Sequence, residues 1–119
     1  MRPGKTKIKL GNNEYGLLFS INVADAIQDH FDIPIAELGD LLKSDRTVFK
    51  ALRYILTLLI NEAIEDDGGK EFVEERFVGR KINTGNIAEL SNKLLESFSA
   101  SVPDAEEDDF EKNAVSGQN

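Results

Sequence analysis

The stretch DRTVFKALRYILTLLINEAIED, residues 45–66, decides the fold. Its apolar residues fall at Val48, Phe49, Leu52, Ile55, Leu56, Leu59, Ile60, Ala63 and Ile64. Steps of three and four gather side chains on one face of a 3.6-residue helix. Ser44 or Asp45 can cap its start by accepting from an orphan N–H. Asp66-Asp67-Gly68-Gly69 stops it, because Gly takes the left-handed conformation that a helix C-terminus wants. At about 1.5 Å per residue the helix is a rod of about 30 Å, as long as a small domain is wide. From Tyr54 to Ile60 only Thr57 is polar. A helix apolar nearly all round must be covered on every side. Either this domain wraps it or another chain does.

Upstream, residues 5–19 read as a β-hairpin. Ile8 and Leu10 alternate with Lys7 and Lys9, the period of a half-buried strand. Gly11-Asn12-Asn13 supplies turn chemistry, and residues 14–19 return as the second strand. A lone hairpin is marginal in water, so it should lay an apolar face on the helices or pair its edge with another chain. Ser20 caps a helix over residues 21–31, with Ile21, Val23, Ala24, Ile27 and Phe31 on its buried side. Asp32-Ile33-Pro34 breaks it. Pro34 then suits the first turn of a helix over residues 35–43, with Ile35, Leu38, Leu41 and Leu42 apolar.

Downstream, Phe72, Val73, Phe77 and Val78 fit a short helix and, in part, a strand. Residues 79–86 read as a loop, with Thr84 or Asn86 as the next cap. The last helix, residues 86–101, carries the stripe Ile87, Leu90, Leu94, Leu95 and Phe98. Pro103 ends the ordered body. The expectation is a mainly α fold: an N-terminal β-hairpin, then a four- to five-helix bundle around the long central helix. Residues 1–102 form one domain, and residues 103–119 an acidic, disordered tail.

The 119 residues suit one domain with one core. The chain has no Cys, which excludes disulfides, thiol catalysis and thiolate metal sites. Its formal charge of −8 is uneven. Residues 103–119 hold six carboxylates against Lys112, a net −5, leaving −3 for the rest. A body so short of basic stripes is no duplex-binding surface. The N-terminus has no apolar leader core. The longest apolar-rich run, residues 54–60, is far below the about twenty residues that span a bilayer. A soluble protein of the cytoplasm is expected.

Catalytic signatures are missing. There is no GxxxxGK[ST], GxSxG or HExxH, and Gly68-Gly69-Lys70 follows a helix rather than a strand. His30 is the lone histidine, which makes no transition-metal site. Asp25 and Asp29, and the group Glu62, Glu65, Asp66 and Asp67, lie opposite the apolar stripes and read as solvated faces. The run EDDGGKE lacks the alternating ligands of a calcium loop. No catalytic residue, metal or cofactor is expected. A binding or assembly protein remains. Its partner surface is expected along the broad side of the long helix, at Tyr54, Ile55, Leu58 and Leu59, with Glu62 at the end. Glu106, Glu107, Asp108 and Asp109 offer a second, acidic set of contacts. Homo-oligomers, from dimers to rings, stay open.

The order of parts, with the pattern K-I-x-L at residues 7–10 and Y-x-L-x-F-S-I at residues 15–21, resembles the tail assembly chaperones of long-tailed phages and prophages, above all those of Gram-positive hosts. The resemblance covers about residues 5–100. It implies a mostly helical protein that binds the tape-measure protein, keeps it soluble, and helps bring tail-tube subunits to it. It implies action in the host cytoplasm and absence from the finished virion. It also implies a programmed frameshift that would replace or extend residues 103–119. No functional residue transfers with it. The rival reading is an acidic regulatory protein that mimics nucleic acid. Such a protein spreads uncompensated carboxylates over its whole body, whereas residues 1–102 carry a net charge of only −3.

Overall fold

The computed structural model describes residues 6–101. In chain order the elements are β1 (Thr6–Leu10), β2 (Asn13–Leu17), α1 (Ile21–Phe31), α2 (Leu38–Lys43), α3 (Val48–Asp66), α4 (Glu75–Lys81) and α5 (Ile87–Ser101). A single 3-10 turn, Ile35–Glu37, precedes α2. The protein is mainly helical with an N-terminal hairpin, as its periodicities require.

The two strands pair antiparallel, with Leu10 opposite Asn13. Gly11 (φ 66°) and Asn12 make the turn alone, so Asn13 belongs to the strand. The second strand ends two residues before Phe19. The cause is a change of partner: the Leu18 N–H leaves the sheet and donates to the Leu59 carbonyl of α3, at 3.2 Å. Ile8, Leu10 and Leu17 are buried while Lys7 and Lys9 face solvent. β2 lies on α3 and β1 on α5.

Ser20 caps α1 as its sequence predicts, its Oγ accepting from the Val23 N–H. Val23 and Ile27 are buried. Ile21, expected beside them, is 82% exposed. Two residues before Val23 is nearly half a helical turn away, which points Ile21 outward. Pro34 does not open an α-helix. It sits extended ahead of the 3-10 turn, and α proper begins at Leu38.

α3 starts at Val48, the first residue of its apolar stripe and three residues after Asp45, and neither Ser44 nor Asp45 caps it through a side chain. Ser44 instead closes a turn. Its carbonyl accepts from the Thr47 and Val48 N–H groups, and its Oγ accepts from the Arg46 N–H. Thr47 Oγ1 ties that turn to α2 by donating to the Leu41 carbonyl at 2.7 Å. The C-terminus follows the glycines. Gly69 N–H donates to the Ile64 carbonyl and Gly68 N–H to that of Glu65, with Gly68 at φ 82°. That pair of bonds is a Schellman motif.

The ambiguous stretch after it resolves into two parts. Residues 70–74 take no regular secondary structure and are tied to α3 by one side chain. Asn61 Nδ2 donates to the Val73 carbonyl (3.0 Å) and Asn61 Oδ1 accepts from the Val73 N–H (2.8 Å). α4 then forms and takes Gly79, Arg80 and Lys81 out of the expected loop. Val78 anchors it in the core, and Arg53 of α3 packs over Gly79 and pairs with Glu75 (3.1 Å). Before α5, Asn86 stands at the expected position, but its side chain turns back. It accepts from the Asn83 N–H and donates to the Lys81 carbonyl, while Asn83 Oδ1 accepts from the N–H groups of Gly85 and Asn86.

All of this encloses α3. Ala51, Leu52, Ile55, Leu56, Leu59, Ile60 and Ala63 are buried, and β2, α1, α2, α4 and α5 all pack on it.

Candidate partner-binding surface

The broad side of α3 is not the open surface its composition suggests. Ile55 and Leu59 are 0% exposed and belong to the core, so they present nothing to a partner. Leu58 is half-buried and packs against that core. Tyr54 is half-buried under an aromatic cluster. The His30 ring stacks on it (centroids 3.8 Å apart, planes at 12°) and Phe31 meets it edge-on at 5.6 Å. Burial, then the nearby charges of Glu75 and Asp29, push the Tyr54 hydroxyl pKa above its ordinary value. Glu62 is engaged inside the molecule, where its carboxylate accepts a 2.6 Å hydrogen bond from Ser20 Oγ. Glu106, Glu107, Asp108 and Asp109, together with the expected tail, lie outside the described residues.

Exposed apolar surface appears elsewhere, at Ile21, Phe49 (52%) and Phe72 (51%). Phe49 lines a groove. A groove of about 440 Å³ opens where the first turns of α3 and α5 diverge. Leu42, Val48 and Phe49 form one wall, Ile87 and Ala88 the other, and Ser91 and Asn92 continue along α5. Lys43 and Asp45 stand on the rim. Arg46 and Lys50, flanking Phe49 in sequence, are also exposed. Arg53 and Lys93, by contrast, sit in ion pairs with Glu75 and Glu96. The site is thus an apolar slot with cations beside it.

The apolar lining suits apolar side chains of a guest. Among the described residues no group of three or more His, Cys, Asp or Glu is placed to hold a metal ion. No described helix is long and apolar enough to cross a membrane. His30, the lone histidine, is exposed and stacked rather than aimed into a cavity.

Of the residues expected to meet a partner, Ile55 and Leu59 are sealed in the core, while the exposed large apolar side chain of this helix is Phe49, in its first turn. Phe49 lies three before Leu52 and seven before Leu56, so helical spacing puts it on the core face. It is nevertheless 52% exposed, where the groove opens between the first turns of α3 and α5. The groove has no signal in spacing alone. The chain matches no known protein family, and neither a curated protein nor a solved structure is significantly similar to it.

Proposed function

We propose that this protein is an assembly chaperone that holds an apolar helical seam of an elongated partner in the groove between α3 and α5. The observation that carries the reading is Phe49, half-exposed in a slot walled by Leu42, Val48 and Ile87. Helix-in-groove recognition needs such anchors: apolar side chains of the guest enter a preformed apolar slot. The element order and the K-I-x-L and Y-x-L-x-F-S-I patterns name the partner class. They point to the tape-measure protein of a long-tailed phage or prophage, with tail-tube subunits recruited to the complex. The protein then works in the host cytoplasm and leaves before the particle is complete. It needs no cofactor.

The test is co-expression with a tape-measure protein of a long-tailed phage, taken from the neighbouring gene where one is found there. The native chain should raise the soluble fraction of that protein, and Phe49→Asp should abolish the effect while the variant itself stays folded. Equal solubility with and without the native chain would sink the reading. Equal solubility with native chain and Phe49→Asp would move the site away from the groove.

A further inference from the structure

Two features of this chain fit each other. The groove offers an apolar slot with Lys43 on its rim, and the exposed Arg46 and Lys50 lie next in sequence to its lining residues Asp45 and Phe49. Asp45 is the one carboxylate among the groove's lining residues, against these three cations, so this segment is weakly basic in a protein of net −8. The segment DAEEDDFE, residues 104–111, is the most acidic run in the chain and carries one aromatic, Phe110. We propose that residues 104–111 of the same chain dock in the groove, with Phe110 in the slot beside Phe49 and the flanking carboxylates over Lys43, Arg46 and Lys50.

Reach permits it. From Ser101 back to Ala88 is thirteen residues of α5, about 20 Å at 1.5 Å per residue. From Ser101 to Phe110 is nine residues, which extend to about 30 Å. A track exists as well. Ala88, Asn92, Leu95 and Ser99 follow at steps of four, three and four, so one face of α5 leads from the groove to the helix end. Opposite charge supplies the direction, and the aromatic supplies an anchor that carboxylates alone lack.

The consequence is self-occlusion. The tail covers Phe49 until a partner displaces it. As regulation of the groove, this rests on the partner-binding reading above. The docking itself does not, and it is measured with no partner present, so either idea can fail alone.

The chain has no Cys, so Asn113→Cys gives a single site for a nitroxide on the full-length protein. Amide resonances of Phe49 and Ala88, at the end of α5 far from the tail's attachment, should lose most of their intensity. Phe110→Ala should restore them, as should Lys43→Glu with Arg46→Glu. About 0.5 M salt should restore them in part, since screening at that strength acts within a few ångströms. Two results overturn the proposal. In one, the groove amides keep their intensity, or lose it equally with Phe110→Ala in place. In the other, the loss appears when nitroxide-bearing chains without isotope are mixed with isotope-enriched chains without nitroxide, which makes a second copy the occupant.

Discussion

Leu58 and Leu59 are adjacent and chemically identical, yet they do different work. Leu59 is sealed in the core, and its carbonyl also receives the Leu18 N–H. Leu59→Ala should cost about 2–5 kcal/mol, the range for emptying a filled core site. Leu58→Ala should cost about 1 kcal/mol, because part of that side chain already meets water. Denaturant melts of the two variants separate them, and equal losses would contradict the assigned burial. Tyr54 gives a pH prediction. Its folded pKa lies above its unfolded value of 10.0, chiefly through burial. The fold therefore keeps the phenol protonated where the unfolded chain has begun to lose its proton. Its contribution is intact below pH 10.0 and fades as pH climbs through the raised folded value. Tyr54→Phe should flatten that alkaline loss in denaturant midpoints between neutral pH and the alkaline limit. The Tyr54–His30 stack was not legible in the sequence, because twenty-three residues and three turns separate the rings.

At the scale of elements, α3 carries its charges against its own dipole. Arg46 and Lys50 sit at the N-terminal end, where no acidic residue occupies the first turn, and Glu62, Glu65 and Asp66 gather at the other. Helix termini favour the opposite arrangement. Lys50→Glu should therefore raise stability by about 0.3–1 kcal/mol in a thermal melt, while weakening any acidic guest at the groove. A Lys50→Glu variant less stable than the native chain would show that Lys50 has a structural partner. At the far end, Gly68→Ala should cost about 1–2 kcal/mol, the strain of a side chain in the left-handed region. Gly68→Asn should cost less, because Asn tolerates that conformation. The helix, its glycine stop, the Ser20 cap and the hairpin were legible because each rests on local chemistry. The start of α3 and residues 70–86 were not. Thr47 finds its partner on α2, and residues 70–74 are shaped by Asn61, more than ten positions upstream. Asn61→Ala strips the Val73 amide and carbonyl of their partners at once. It should cost about 1–3 kcal/mol and release that strap, which proteolysis between Gly69 and Glu75 would report.

At the scale of the molecule, the wrap around residues 54–60 of α3 removes the reason for another chain to cover that stretch. Between Tyr54 and Ile60 no residue is fully exposed. Light scattering of the isolated protein should accordingly give a monomer mass that does not rise with concentration. A rising mass would show that Phe49, Phe72 or Ile21 is shared between copies.

The hairpin has a consequence in time. Its strands come first in the chain, yet β1 finds its cover on α5, the last described element, some eighty residues later. A ribosome adding about 5–20 residues per second takes about 4–17 seconds to deliver α5 after Leu17 has been made. Through that interval Ile8, Leu10 and Leu17 have α3 at best and no lid. Synthesis of this protein thus passes through a stage in which its own core is half built and sticky. Nascent chains arrested before residue 87 should be cut readily by protease within the hairpin, and chains arrested far enough beyond residue 101 to free α5 should resist.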